Sequence, residues 1–169
     1  HGVNNTFVYG TLAESTSDNS IVLGGNNPED LLAERQSIRV IYGTQTTEGA
    51  MVDSYLNNTT DSYFVIPDNS IAYFHADVIA VRVGGDSEEG DIGDYASWVE
   101  RGVVINKRGT LSIQRERDSI KSSGVVTDWR PTAGVRGTNF ILQVRGETNE
   151  TIEWNSNITF TQIRTNEPL

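Results

Sequence analysis

Residues Ile66–Asn106 read IPDNSIAYFHADVIAVRV (66–83), then GGDSEEGDIGD (84–94), then YASWVERGVVIN (95–106). In the first block Ala72, Phe74, Ala76, Val78 and Ala80 alternate with Ile71, Tyr73, His75, Asp77, Ile79, Val81 and Val83. A period of two is that of a β-strand, and apolar residues on both faces mean that neither face is fully solvated. The third block alternates Trp98, Glu100, Gly102 and Val104 against Val99, Arg101, Val103 and Ile105. The segment between them holds five carboxylates and four glycines, which makes it a solvated connection. Two long antiparallel strands at the centre of a β-sandwich follow.

The flanking sequence extends the all-β reading. Strands are expected at Gln36–Gly43, Ala50–Leu56 and Ser62–Ile66, the last stopped by Pro67. Asn106-Lys107-Arg108-Gly109 turns into a strand at Thr110–Glu116, and a weaker strand is expected over Ser119–Thr127. Arg130–Gly137 contains Pro131 and Gly134 and reads as a loop. Phe140, Leu142 and Val144 mark the next strand, and Ile152, Trp154, Ile158 and Phe160 share one buried face of the last. The expected fold of residues 36–169 is an antiparallel, jelly-roll-like β-sandwich.

Upstream, NNTFVYG (4–10) and DNSIVLG (18–24) match at a spacing of 14, pairing Asn5 with Asn19, Phe7 with Ile21, Val8 with Val22 and Gly10 with Gly24. Such a repeat predicts units whose apolar rows only a neighbouring copy can cover. Residues 1–27 therefore read as the end of a longer repeating shaft. Pro28-Glu29-Asp30-Leu31-Leu32-Ala33-Glu34-Arg35, with proline first and acids in the first turn, predicts a short helical connector over 28–35.

Bulk properties narrow the function. The chain has 169 residues and a net charge of -10, which disfavours nucleic acid and anionic membrane surfaces as partners. It has no cysteine, hence no disulfide or thiolate metal site, and no apolar run long enough to cross a membrane. The chain starts at His1, which suits a fragment or a processed product. Asn-x-Ser/Thr triplets at Asn4, Asn57, Asn58, Asn149 and Asn157 fit chance in an Asn- and Thr-rich chain, since Asn157 falls in an expected strand.

No catalytic motif stands out, and an enzyme is not expected. His1 and His75 lack metal-ligand spacing, and no nucleophile elbow or phosphate loop occurs. No cofactor is implied. Asp86, Glu88, Glu89, Asp91 and Asp94 are weak candidates for calcium ligands, but their spacing misses the EF-hand loop. Aromatic faces stack on sugar rings, with Asp, Asn and Arg bonding the hydroxyls. Trp98 and Trp154 are in phase with core residues. Trp129, in the polar context Thr127-Asp128-Trp129-Arg130-Pro131, is the better binding candidate, with Asp128 and Arg130 beside it and Tyr95, Tyr55 and Tyr63 as further aromatic candidates. Burial against a neighbouring subunit is the competing reading of Trp129.

The Pro67–Ser70 turn into a long strand, the acidic loop, Tyr95–Asn106, Gly109–Ile113 and the late Ile152, Trp154, Ile158 and Ile163 resemble a C-terminal β-domain of phage tail-fibre proteins, over about Ser62 to Ile163. The 14-residue repeat resembles the head repeat of trimeric autotransporter adhesins, which also recurs in phage fibres; the resemblance implies that each repeat is one coil of a β-roll and that residues 1–27 are the end of a β-roll shaft. The resemblance implies a homotrimeric, extracellular virion fibre tip that attaches to a host glycan or receptor. A self-cleaved trimerisation or chaperone domain, a capsid decoration protein and a bacterial adhesin fragment are the alternatives.

Overall fold

Along Ser70–Gly84 small and aromatic side chains point one way and polar or branched ones the other, and the chain forms a single strand, β6. In the computed structural model, which describes residues 4–11, 13–25, 33–88, 90–123, 126, 128–165 and 169, β6 lies in the middle of five long antiparallel strands. On one side it pairs with β11 (Thr151–Thr165) and through it with β3 (Ala33–Thr46). On the other it pairs with β7 (Tyr95–Lys107) and then β8 (Thr110–Ser122). The register sets Ala80 beside Trp154 and Ala96, and Phe74 beside Phe160, so each large ring on the inner face has a small or flat neighbour.

The same inner face is covered by the sheet's own continuation. β4 (Met51–Leu56) pairs with β3 only at Tyr42↔Leu56 and Gly43↔Tyr55, then turns away to pair with β10 (Asn139–Arg145). β10 in turn pairs with β9 (Arg130–Arg136) and the short β5 (Phe64–Val65). β4 is a corner strand that passes from one layer to the other. The result is one curled, hydrogen-bonded sheet, a half-barrel, where the sequence suggested two jelly-roll sheets. Between the layers Phe64 stacks on Phe160 (4.4 Å between ring centroids), and Phe140 meets Phe74 and Phe160 edge-on (both 5.0 Å). The Tyr42 hydroxyl donates to the Phe140 carbonyl (3.1 Å) and accepts from the Phe64 amide (2.7 Å), so it satisfies buried backbone groups on two strands.

The 14-residue spacing is a real structural step. β1 (Phe7–Tyr9) and β2 (Ser20–Gly25) run parallel with Phe7↔Ile21, Val8↔Val22 and Tyr9↔Leu23. Asn5 and Asn19 occupy the same left-handed conformation (φ 52° and 55°), as asparagine tolerates. A Cβ on Gly10 would lie 1.7 Å from the Gly24 carbonyl oxygen, so the coils stack only because glycine is there. β2 pairs antiparallel with β3, which joins this coil to the domain's sheet.

Three expectations change. The helical connector over 28–35 lies partly outside the described residues, and Ala33–Arg35 belong to β3, in register with Ile163–Thr165. Arg130–Arg136 is strand β9 and not a loop; β9 pairs only with β10, and an edge strand tolerates Pro131, which has no N–H to donate. The weaker strand at Ser119 is the continuation of β8, which runs unbroken to Ser122 with a bulge opposite Ser97–Trp98.

Candidate functional site

Trp129 immediately precedes β9, and the turn into that strand swings its ring inward. It is only 3% exposed. Its indole N–H donates to Glu150 Oε2 (3.0 Å), and its ring sits 6.2 Å from Trp154, which stacks on Trp98 at 5.6 Å. Glu150 also pairs with Arg82 (3.2 Å), both nearly sealed from solvent. Arg82 donates to the carbonyls of Gly84, Gly85 and Ser87, and so pins the start of the acidic connection. Trp129 is thus not the open aromatic platform that its polar neighbours suggest; Asp128 and Arg130 beside it are exposed. A hollow of about 250 Å³ reaches it, lined by Trp98, Arg117, Ser119, Ser122, Trp129 and Arg130. Asp128 does not line it. Tyr95 points to the other face of β7, alternating with the inward Ala96 and Trp98.

Among the candidate calcium ligands, Glu89 lies outside the described residues. Asp94 accepts from the Asp91 amide (2.6 Å) and the Ser123 hydroxyl (2.8 Å), and these bonds hold its carboxyl below the usual range. Among the described residues no three or more potential ligands gather, so Asp86, Glu88 and Asp91 are not brought to one point.

The larger concavity is elsewhere. A cleft of about 790 Å³ opens between the first coil and the turn before β5; Glu14, Asp18, Asp61, Ser62, Tyr63 and Asn139 are among its lining. Tyr63 is held rigidly there. Its hydroxyl donates to Asp53 Oδ2 (2.6 Å), its ring lies 5.7 Å from that of Tyr55, and the Arg136 guanidinium sits 6.0 Å from its centroid. Asp53 further accepts from Arg136 (2.7 and 3.2 Å) and Gln143 (3.0 Å). Burial works against the Asp53 charge, but these hydrogen bonds outweigh it and hold the carboxyl below its ordinary value. Burial, and next the same carboxylate, push the Tyr63 hydroxyl up to about 12. Asp53, Gln143 and Arg136 come from β4, β10 and β9, and no local pattern in the sequence brings them together.

Glu100 was also hidden in the sequence. It is fully buried on the inner face of β7, with Arg115 and Arg117 of β8 at 3.6 and 3.9 Å. Burial raises its pKa; the two guanidiniums offset only part of that cost, and neither carboxylate oxygen has a hydrogen-bond partner among the described residues.

The outer face of the long strands stays open. Ile71, Tyr73, Ile79 and Val83 of β6 are 43–47% exposed, with Ile41, Ile120 and Ile163 exposed on neighbouring strands. A polar belt crosses it: His75–Asp77 (3.1 Å), Arg101 with Glu116 (2.5 Å) and Asp118 (3.0 Å), and Arg39 donating to Asn157 (2.5 Å). His75 is therefore a surface residue of this belt and not a core one.

No family model matches the chain, and no curated protein does. Among solved structures it is similar to three tailspike proteins. That of Acinetobacter baumannii bacteriophage Fri1, a capsular polysaccharide depolymerase, has 9% identity and a TM-score of 0.36, over 88% of this chain and 21% of that one. That of Acinetobacter baumannii phage AM24 has 8% identity and a TM-score of 0.36, over 72% and 26%. That of Acinetobacter phage vB_ApiP_P1 has 13% identity and a TM-score of 0.37, over 76% and 22%. The chain spans about a fifth to a quarter of the length of these proteins.

Proposed function

We propose that the chain is the tip of a homotrimeric phage tail fibre and attaches the virion to a carbohydrate on the host surface. The observation that carries the reading is the parallel 14-residue step β1–β2 built directly onto the edge of the domain's sheet, which is how a repeating shaft would end in a tip. The sequence resemblance of Ser62–Ile163 to tail-fibre β-domains supports the virion setting. The exposed Ile71, Tyr73, Ile79 and Val83, with Ile41, Ile120 and Ile163, support self-association of the outer face, since large exposed apolar patches mark interaction surfaces.

The tip binds and does not cleave. A glycosidase needs an accessible carboxyl whose pKa is raised. Among the described residues Glu100 is the carboxyl that burial pushes upward, and it is sealed in the core where no glycosidic oxygen reaches it. Trimerisation multiplies weak single-site affinity at a cell surface. Fluorescently labelled protein, applied to a panel of bacterial strains, should decorate a subset and lose that binding after periodate oxidation of surface glycans. Absence of binding across the panel, or binding that survives periodate, would overturn the reading. In a thermal melt Trp129→Ala should lower the melting temperature, because the ring is part of the tryptophan cluster, with a cost of about 3–5 kcal/mol for a buried indole.

A further inference from the structure

The groups around the large cleft are not all used by the fold. The side chains of Asp61, Ser62 and Asn139 line it and make no hydrogen bond or ion pair with any described residue. Beside them Tyr63 is clamped by Asp53, Tyr55 and Arg136, so its ring cannot turn away when a ligand enters. A free carboxylate accepts hydroxyl donors, a free amide both donates and accepts, and a fixed aromatic side chain offers apolar contact to the C–H groups of a pyranose. Little ordering cost remains for such a pre-set group.

Charge selects among sugars. Glu14, Asp18 and Asp61 line the cleft, and among the described residues no lysine or arginine does. Arg164 meets Glu14 at 3.8 Å and Arg136 is held by Asp53, which leaves Asp18 and Asp61 without a cationic partner among the described residues, so a uronic or sialic acid carboxylate, a sulfate or a phosphate would meet a net negative lining there. We infer that the cleft between the first coil and the turn before β5 binds an uncharged or amine-bearing sugar, with Asp61 and Asn139 taking its hydroxyls and the fixed Tyr63 side chain forming an apolar wall beside it. The inference deepens the attachment reading and rests on it for its biological setting, but free-sugar binding is measurable without it.

The test is saturation-transfer NMR on the full chain with methyl glucoside, methyl galactoside, N-acetylglucosamine and glucosamine as probes, and glucuronate as the acidic counter-probe. At least one of the first four should bind, and glucuronate should not. Asp61→Ala and Asn139→Ala should each weaken that binding about tenfold, as expected for one lost hydrogen bond to a charged or well-placed partner. Asn139→Ala, at the surface rim, should melt like the parent; Asp61 holds a left-handed backbone (φ 61°) that alanine disfavours, so Asp61→Gly, which tolerates that backbone, is the variant that should lose binding at the parent melting temperature. Asn139→Asp, which keeps the shape and adds charge, should weaken N-acetylglucosamine more than glucosamine. Binding of glucuronate equal to the others, no binding by any probe, or variants that bind like the parent would each overturn the inference. Cell adhesion by a parent chain that binds no probe overturns this inference and leaves the attachment reading standing. Probe binding at the cleft by a chain that adheres to no cell supports it and overturns attachment.

Discussion

Glu100 is a costly choice at its position. Its carboxyl lies on the inner face between Ala76 and Arg117, with no solvent and only long contacts to Arg115 and Arg117. Because its folded-state pKa is raised, the folded chain keeps the proton to a higher pH than the unfolded chain does. Its contribution to stability is therefore fullest below the unfolded value and declines as pH rises through the interval up to the folded value. Glu100→Gln removes the ionisation. The variant should be more stable than the parent near pH 7, by on the order of 1 kcal/mol, and nearly equal to it at pH 4. Thermal melts of both proteins from pH 4 to 8 check this; a variant that melts lower at pH 7 would show that the arginine contacts outweigh desolvation. Asp53 has the opposite sign. Its lowered pKa gives stability that is present above the unfolded value and lost as pH falls through the folded one.

At the scale of the element, β8 is the sheet's outermost long strand, and one glycine sets how closely it lies. A Cβ on Gly102 of β7 would stand 2.0 Å from the Gln114 carbonyl oxygen and 2.8 Å from the Arg115 Cα. Gly102→Ala must push β8 away from β7. The expected cost is about 1–3 kcal/mol, the range for overpacking. Hydrogen exchange should locate it: amides of Thr110–Ser122 should exchange faster, while those of β3 and β11 stay protected. Uniform acceleration across all strands would mean that β8 is not a separable edge. Charges along β8, including Arg115, Glu116, Arg117, Asp118 and Lys121, guard this edge against strand addition.

The whole molecule buries one face of its long-strand sheet and leaves the other open. Two hollows lie on the open face, one of about 420 Å³ beside Tyr73 and Val103 and one of about 450 Å³ beside Ile79, Val99 and Ile120. The polar belt between them gives a second copy a register to match. Sedimentation velocity at micromolar concentration should give three chain masses. Ile79→Lys should shift it to a single chain without loss of far-ultraviolet circular dichroism, since the side chain is exposed in the isolated chain. A parent that sediments as a monomer would remove the trimer from the proposal.

Most strands were legible because alternation is a local property: Ser70–Gly84, Tyr95–Lys107 and Thr151–Thr165 carry their inward residues in plain sequence. The 14-residue step was equally legible, since Asn5 with Asn19 and Gly10 with Gly24 repeat a backbone conformation that few residues adopt. The burial of Trp129, the clamp on Tyr63 and the sealing of Glu100 were not. Each depends on partners far along the chain, as with Trp129 and Glu150 or Asp53 with Arg136 and Gln143. Pro131 and Gly134 disguised β9 as a loop because only an edge position, set by pairing to β10, makes a strand of them. By itself the sequence determined which segments extend, which residues share a face and where a coil repeats. Which face is covered, which carboxylates leave water and where a cleft opens was decided by the tertiary structure, because alternation specifies a strand's two faces but only pairing and curling choose what lies against each.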